Sequence, residues 1–299
     1  MSLLIVGSLA LDTIETPAGS VENVPGGSTT YSSLAASYFT HPRIVGVVGD
    51  DFPASMMTIF KEHHFDLTGL QTRPGKTFRW GARYAENFDE RTTLFTELNV
   101  FENYIPKIPA IYRDASHVLL ANIHPALQNS VLEQMTSSPF VIMDTMNLWI
   151  NIATDELMEL LKKVSLLVIN DEEARMLTGL SHPGHAAARL RHFGPEWIVI
   201  KRGQHGALLF HEDDIFSVPA VLLDQVVDPT GAGDSFVGAL AGYLDQSQII
   251  SFDNLKLAVV YGTILASLCV EDFSVNAMIY LEEEDIEERY DRLVVMSQF

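Results

Sequence analysis

"VVDPTGAGDSF" (226–236) sets two glycines and a lone carboxylate, Asp234, in front of an apolar run. A glycine inside a helix costs roughly 0.5–1 kcal/mol relative to alanine, so Gly231 and Gly233 mark a place that needs bare backbone. The stretch reads as a strand ending in "VV", a turn at Asp228-Pro229 and a helix beginning near Ala232. Small residues at a helix start leave backbone N–H groups free and approachable, an anion hole at Gly231, Ala232 and Gly233. Asp234 stands beside that hole. A carboxylate there repels a bound phosphate, and accepting a proton from an attacking hydroxyl is the work that justifies it. The bland alternative is a Gly-rich turn with Asp234 compensating the helix dipole. The eleven residues together favour a phosphoryl-transfer site with a carboxylate base.

Outward from this loop the chain alternates short apolar runs with helical patterns. Strands are expected at 3–7, 43–49, 117–122, 140–144, 165–170, 197–201 and 206–210. Helices are expected near 29–38, 52–63, 126–136, 155–163, 171–178, 185–193, 232–245, 255–269 and 283–293. Continuous apolar strands separated by helices predict an α/β fold, a mostly parallel central sheet covered on both faces, with ligands at the carboxyl ends of the strands. One stretch breaks the rhythm. "KTFRWGARYAENFDERTTLFTELNVF" (76–101) alternates aromatic and polar residues around the turn-like "ENFDE" (86–90), which predicts a hairpin. With the segment 12–27 it makes a small β lid. No linker divides the 299 residues, so the expectation is one domain over 1–299.

Composition narrows the function. Lys and Arg total 19 against 39 Asp and Glu, a net charge of −20, which argues against nucleic acid and anionic membrane as partners. Cys269 is the only cysteine, which excludes internal disulfides and fits a reducing cytoplasm. The start, "MSLLIVGSLALDTIE", has no basic n-region and reads as a core strand, and "LAVVYGTILASLCV" (257–270) is too short for a bilayer and reads as a buried helix.

Four motifs each admit a functional and a bland reading. "RPGKTF" (73–78) mimics a P-loop, but the spacing from Gly69 is wrong and a strand pattern follows where a helix must begin. "HPGH" (182–185) reads as the turn that starts a helix, and the acidic "YLEEEDIEERYDRL" (280–293) as a solvated helix face. "NDEE" (170–173) is open on spacing alone: helix-dipole compensation, or Asn170 and Glu173 aimed into the crevice to organise hydrated Mg²⁺.

"DPTGAGDSF" closely resembles the signature of the ribokinase-like (PfkB family) carbohydrate kinases, and other segments follow in that family's order. "GSLALD" (7–12) is similar to its first strand and turn, with Asp12 on substrate hydroxyls. "PGGSTTYSSLAAS" (25–37) is similar to its glycine pair and helix, with Gly26 and Gly27 against the substrate. "VGVVGDDF" (45–52) resembles the next strand and its turn. "NDEE" fits its N-x-x-E motif and tips Asn170 and Glu173 toward function. "IKRGQHGALLF" (200–210) resembles its nucleotide strand through Gly203 and Gly206. Two departures stand out: Tyr31 where the family often has a sugar-holding Asn, and Lys201 where it usually has Thr.

The resemblance implies a ribokinase-like fold and an ATP-dependent kinase acting on a hydroxyl of a sugar or nucleoside. In that reading Asp234 is the general base, Asp12, Gly26, Gly27 and Tyr31 meet the acceptor, and Asn170, Lys201, Gly203 and Gly206 meet the nucleotide. Mg²⁺ rides on ATP near Glu173 through water, K⁺ binds at Asp228 and the Thr230 carbonyl, and lids of this kind often pair across a homodimer. Tyr31 together with Phe78, Trp80 and Tyr84 keeps an adenosine-type nucleoside kinase open beside a sugar kinase. A sugar phosphate would need a cation, which Arg79 or Arg83 on the hairpin could supply. A catalytically silent sensor on the same scaffold is the alternative from another class, and the intact Asp234 and glycines argue against it. A dinucleotide oxidoreductase lacks its G-x-G-x-x-G after the first strand.

Overall fold

The computed structural model describes residues 2–88 and 90–298. Its strands are β1 (Leu3–Val6), β2 (Ala10–Thr16), β3 (Gly19–Gly26), β4 (Arg43–Gly49), β5 (Asp66–Arg73), β6 (Phe78–Tyr84), β7 (Arg91–Glu97), β8 (His117–Leu120), β9 (Phe140–Asp144), β10 (Leu166–Asn170), β11 (Trp197–Lys201), β12 (Ala207–His211) and β13 (Asp214–Val218). Nine of them form one sheet in the order β13-β12-β11-β10-β9-β8-β1-β4-β5; the other four form a second sheet, β3-β2-β6-β7. In the large sheet the pairs from β11 to β5 are parallel, and β12 and β13 add an antiparallel edge.

The apolar runs are continuous because each central strand feeds two cores. In β1, Leu3 and Ile5 pack into one core while Leu4 and Val6 pack into the other; in β10, Leu166 and Val168 part from Leu167 and Ile169 in the same way. Successive side chains point to opposite faces, so a strand covered on both sides needs an apolar residue at every position. Helices Ser28–Ser37, Ala232–Ser247 and Phe252–Cys269 cover the first face, and helices Thr154–Leu161, Asp171–Thr178 and Pro183–Arg191 cover the second. Helix Phe252–Cys269 is the one helix among the described residues long and apolar enough to cross a membrane, but 61% of it is buried inside the protein, as a core helix is.

Several expectations need correction. β5 and β13 are strands that the sequence reading passes over. Both are sheet edges, where only part of each strand is buried and the apolar signal is diluted. "VV" (226–227) is not the end of a strand. It belongs to the irregular segment after β13, where the Val227 N–H donates to the Val270 carbonyl at 2.8 Å. The hairpin at 76–101 is confirmed as β6 and β7, though Asp89 of its "ENFDE" turn lies outside the described residues. β6 pairs with β2, so the segment 12–27 and the hairpin form one small sheet. The rejected P-loop is the connection between β5 and β6, with no helix following it; "HPGH" starts helix Pro183–Arg191.

At the opposite end of the sheet from the carboxyl ends of the parallel strands, Asp245 is fully buried. It accepts from the Ser2 amide (2.8 Å), the Thr40 hydroxyl (2.7 Å) and His117 Nδ1 (3.0 Å). Burial pushes its carboxyl up, but the bonds from His117, Thr40 and Ser2 outweigh that and hold it below the usual carboxylate range. A depressed folded-state value stabilises the protein above the unfolded value and loses that contribution as pH falls. Asp245→Ala is expected to cost about 2–4 kcal/mol in urea unfolding at pH 7, because it strands several buried donors. The gap to wild type should narrow below about pH 3.9, the ordinary carboxylate value. An equal gap at both pH values would remove the ion-pair account.

Candidate active site

The residues of the opening loop converge with the carboxyl ends of the parallel strands. Gly231 is the N-cap of helix Ala232–Ser247, with φ 79° and ψ −3°, the left-handed conformation that glycine adopts without strain. A Cβ at this position would lie 2.2 Å from the Tyr31 ring. Tyr31 is wholly buried under the loop, and its hydroxyl has no hydrogen-bond partner among the described residues. Burial, with the Asp12 and Asp228 carboxyls nearby, raises that phenol well above its ordinary value. Tyr31 therefore braces the loop from below. The Ala232 N–H donates to the Pro229 carbonyl at 3.3 Å, while the first-turn amides that follow point out of the helix.

Asp234, in that first turn, sits among charges. Burial, then the Asp144 carboxyl, push its carboxyl up; Lys201 and Arg91 pull it down and Glu173 pushes it up again, leaving it at about 7. A group near 7 is divided between its acid and base forms at neutral pH, the condition that suits a general base. Lys201, at the end of β11, donates from Nζ to Asp144 Oδ1 at 3.0 Å, and a Cβ on Gly233 would meet that same Nζ at 3.1 Å. Lys201 thus lies against the loop rather than in solvent.

Asn170 and Glu173, at the end of β10, form a reciprocal capping box: Asn170 Oδ1 accepts from the Glu173 amide (2.7 Å), and Glu173 Oε2 accepts from the Asn170 amide (3.0 Å). Glu173 is nonetheless buried, and burial lifts its carboxyl to about 7 against the pull of Lys201. The pair serves the helix start and also faces the charged cluster. Gly203 has open space around it, whereas a Cβ on Gly206 would lie 2.0 Å from the Val218 carbonyl, so Gly206 lets β13 return beside its neighbour.

Asp12 projects from β2 and is almost fully buried. A Cβ on Gly26 would fall 1.9 Å from Asp12 Oδ2, which is why a glycine faces it. Burial first, then the Asp228 charge, raise the Asp12 carboxyl to about 8. Asp228 is completely buried; its two oxygens accept from the amides of Thr230 (2.9 Å) and Ser274 (3.1 Å), and it has no ion-pair partner among the described residues. Cys269 is buried beside it, its thiol hydrogen-bonded to the Thr230 carbonyl and pushed by burial up to about 12.

The small sheet touches this loop: the Thr230 hydroxyl donates to the Tyr84 hydroxyl at 3.1 Å. Parity along the small sheet sorts its side chains. Asp12 pairs in register with Trp80, and Tyr84 with Arg91, so these share the face toward the loop. Arg79 binds Asn23 and Asp51, and Arg83 binds Glu15, all on the sheet's other side. Arg79 and Arg83, which could have met a sugar phosphate, thus face away from the loop, and the arginine on the loop face is Arg91, whose guanidinium lies 5.2 Å from the Trp80 ring centroid. The sequence signal that could have found it is the same strand alternation: a residue opposite Tyr84 shares its face.

A cavity of about 570 Å³, lined by Trp197, His211 and Phe252 among others, lies at the amino ends of the parallel strands. The buried titratable cluster lies at the opposite ends, and the chemistry places the site there.

Comparison with known proteins gives the family and the fold. The family described as pfkB family carbohydrate kinase matches residues 2–280. The chain is 30% identical over 251 residues to a cytidine kinase of Thermococcus kodakarensis, covering 81% of this chain and 88% of that one. It is 26% identical over 253 residues to an aminoimidazole riboside kinase of Salmonella typhimurium, covering 79% and 78%. The crystal structure of the Salmonella enterica aminoimidazole riboside kinase, solved with aminoimidazole riboside and an ATP analogue, superposes with a TM-score of 0.76 at 20% identity over 97% of this chain and all of that one. Thermotoga maritima ribokinase superposes with the same TM-score at 19% identity over 97% and 99%. At these identities the superpositions show the fold.

Proposed function

The chain belongs to the pfkB family of carbohydrate kinases and transfers a phosphoryl group from ATP to a hydroxyl of a sugar or nucleoside, and from that premise we propose the roles of its residues and the class of its acceptor. Asp234 is the general base, and the amides of Gly231, Gly233 and Asp234 hold the charge that develops on the transferred group, the Ala232 amide being engaged by the Pro229 carbonyl. The observation that carries this is a half-buried carboxylate, raised to about 7, in the first turn of a helix whose N-cap is glycine. Asp12 receives the acceptor hydroxyls between Gly26, Gly27 and the inner face of the lid. Asn170, Gly203 and Gly206 belong to the nucleotide side, and Glu173 meets, through water, the Mg²⁺ that supplies charge neutralisation on ATP. A K⁺ ion fits the fully buried Asp228 carboxylate and the Thr230 carbonyl, since no cationic side chain neutralises Asp228.

The acceptor is a nucleoside. Trp80 stands on the same face as Asp12, positioned to stack on a base while Asp12 takes ribose hydroxyls; the similarity to a cytidine kinase and an aminoimidazole riboside kinase supports the same class. A second copy of the chain pairs along β7, an edge strand exposed throughout with Leu94 and Phe95 on it, giving a homodimer that light scattering would detect as twice the monomer mass.

The test is a panel of nucleosides and free sugars with ATP, run on wild type and Asp12→Asn. Nucleosides should give the higher kcat/KM. Above about pH 8, where Asp12 is ionised, each lost charge-assisted bond is worth roughly 1.5–3 kcal/mol, so at about pH 9 Asp12→Asn should raise the acceptor KM about 10- to 100-fold with the ATP KM nearly unchanged. Free sugars outperforming every nucleoside would overturn the acceptor class, and equal weakening toward both substrates would remove Asp12 from the acceptor site.

A further inference from the structure

We propose that Lys201 is a catalytic residue of the phosphoryl transfer and that Asp144 is the residue that positions it. The inference rests on the reading of residues 231–234 as the phosphoryl site and assigns the charge that those neutral amides do not provide.

The geometry begins in the sheet. Lys201 ends β11 and Asp144 ends β9, with β10 between them. Lys201 is level with Asn170 and Asp144 with Val168, two residues apart on β10, so both side chains leave the sheet on the face covered by helix Ala232–Ser247. The long Lys201 side chain reaches across β10 to Asp144 at 3.0 Å, and its ammonium comes to rest against Gly233. The side chains are only 17% and 7% exposed. A buried ion pair loses about as much in desolvation as it gains in attraction, so this one is weakly explained by stability. Its position is better explained by charge. Phosphoryl transfer spreads negative charge over the equatorial oxygens, and a fixed cation in a water-poor site stabilises that charge more than the ground state. Asp144 approaches the ammonium from the strand side, which leaves the rest of Nζ to the loop. Lys201 neither gives nor takes a proton in this role; Asp234 does that. Asp144 acts through Lys201 and, by its charge, raises the Asp234 carboxyl; the second effect vanishes where Asp234 is fully ionised, so the variants are compared at about pH 9.

The test is steady-state kinetics of Lys201→Met, Lys201→Arg, Asp144→Asn and the double variant Lys201→Met/Asp144→Asn on an accepted acceptor, each beside its melting temperature. Losing one stabiliser of transition-state charge costs about 10²–10³-fold in turnover, so Lys201→Met should lose about that much in kcat with a smaller change in the KM for ATP. Lys201→Arg, which keeps the charge, should recover part of the loss. Asp144→Asn should lower kcat less than Lys201→Met does. The double variant should be no worse than Lys201→Met alone, because a residue acting through another has nothing left to act on. A folded Lys201→Met with near wild-type kcat overturns the proposal, as does a double variant whose losses multiply. If Lys201→Met does not fold, Asp144→Asn and Lys201→Arg both keeping full kcat overturn it. Asp234→Asn separates the two readings: if it is inactive while Lys201→Met is not, only the present inference fails.

Discussion

Gly231→Ala is expected to lower turnover by about 10²-fold or more, the scale for disabling an oxyanion-type hole, and to weaken ATP binding with it. Two penalties meet at this residue. Its φ of 79° costs an L-residue roughly 1–2 kcal/mol, and the added Cβ would lie 2.2 Å from the ring of Tyr31. Tyr31 is wholly buried and cannot step aside, so the loop must lift and its amides lose their common focus. Gly233→Ala should be milder, because its Cβ meets only the end of the Lys201 side chain at 3.1 Å. Calorimetric titration of ATP together with kcat on both variants checks the contrast. Gly233→Ala proving the more damaging of the two would mean that the loop is not braced as described.

The strands easiest to read from the sequence are those buried on both faces, whose interiors are continuously apolar, β1, β4 and β8 to β11; β12 and the hairpin strands β6 and β7 are read as well, from their flanking glycine and alternation. β5, "DLTGLQTR", and β13, "DIFSV", escape because an edge strand keeps polar residues and buries little. The site divides along similar lines. Asp234 and its glycines are legible because the anion hole is local, a few consecutive residues whose conformations make it. Asp144 is not legible, since it ends an ordinary buried strand and acquires meaning only when Lys201, 57 residues later, reaches it. Arg91 is hidden for another reason: choosing among the hairpin's arginines requires knowing which face of the lid looks inward, and Arg79 and Arg83 occupy the other one. Tyr31 shows the limit of motif transfer. Its place in the chain suggests contact with the acceptor, whereas its ring lies beneath Gly231. The dinucleotide-oxidoreductase reading, dismissed for want of its glycine fingerprint, gives way to family membership.

Asp234→Asn is expected to cost on the order of 10²–10⁴-fold in kcat, the usual contribution of a positioned general base. The amide preserves size and hydrogen bonding but cannot take the acceptor's proton, so folding and ATP affinity should survive. The sign of the pH dependence follows from the carboxyl's position near 7, where burial has pushed it. Only the ionised form accepts a proton, so wild-type turnover should rise with pH through about 7 and then level, and the asparagine variant should lose that limb. The most direct measurement is therefore kcat of wild type and Asp234→Asn from pH 5.5 to 9 on the best nucleoside acceptor, beside their melting temperatures. The account predicts a folded variant with turnover at least about 10²-fold lower and no rising limb near 7; a folded variant with near-normal turnover and the wild-type pH profile would contradict it.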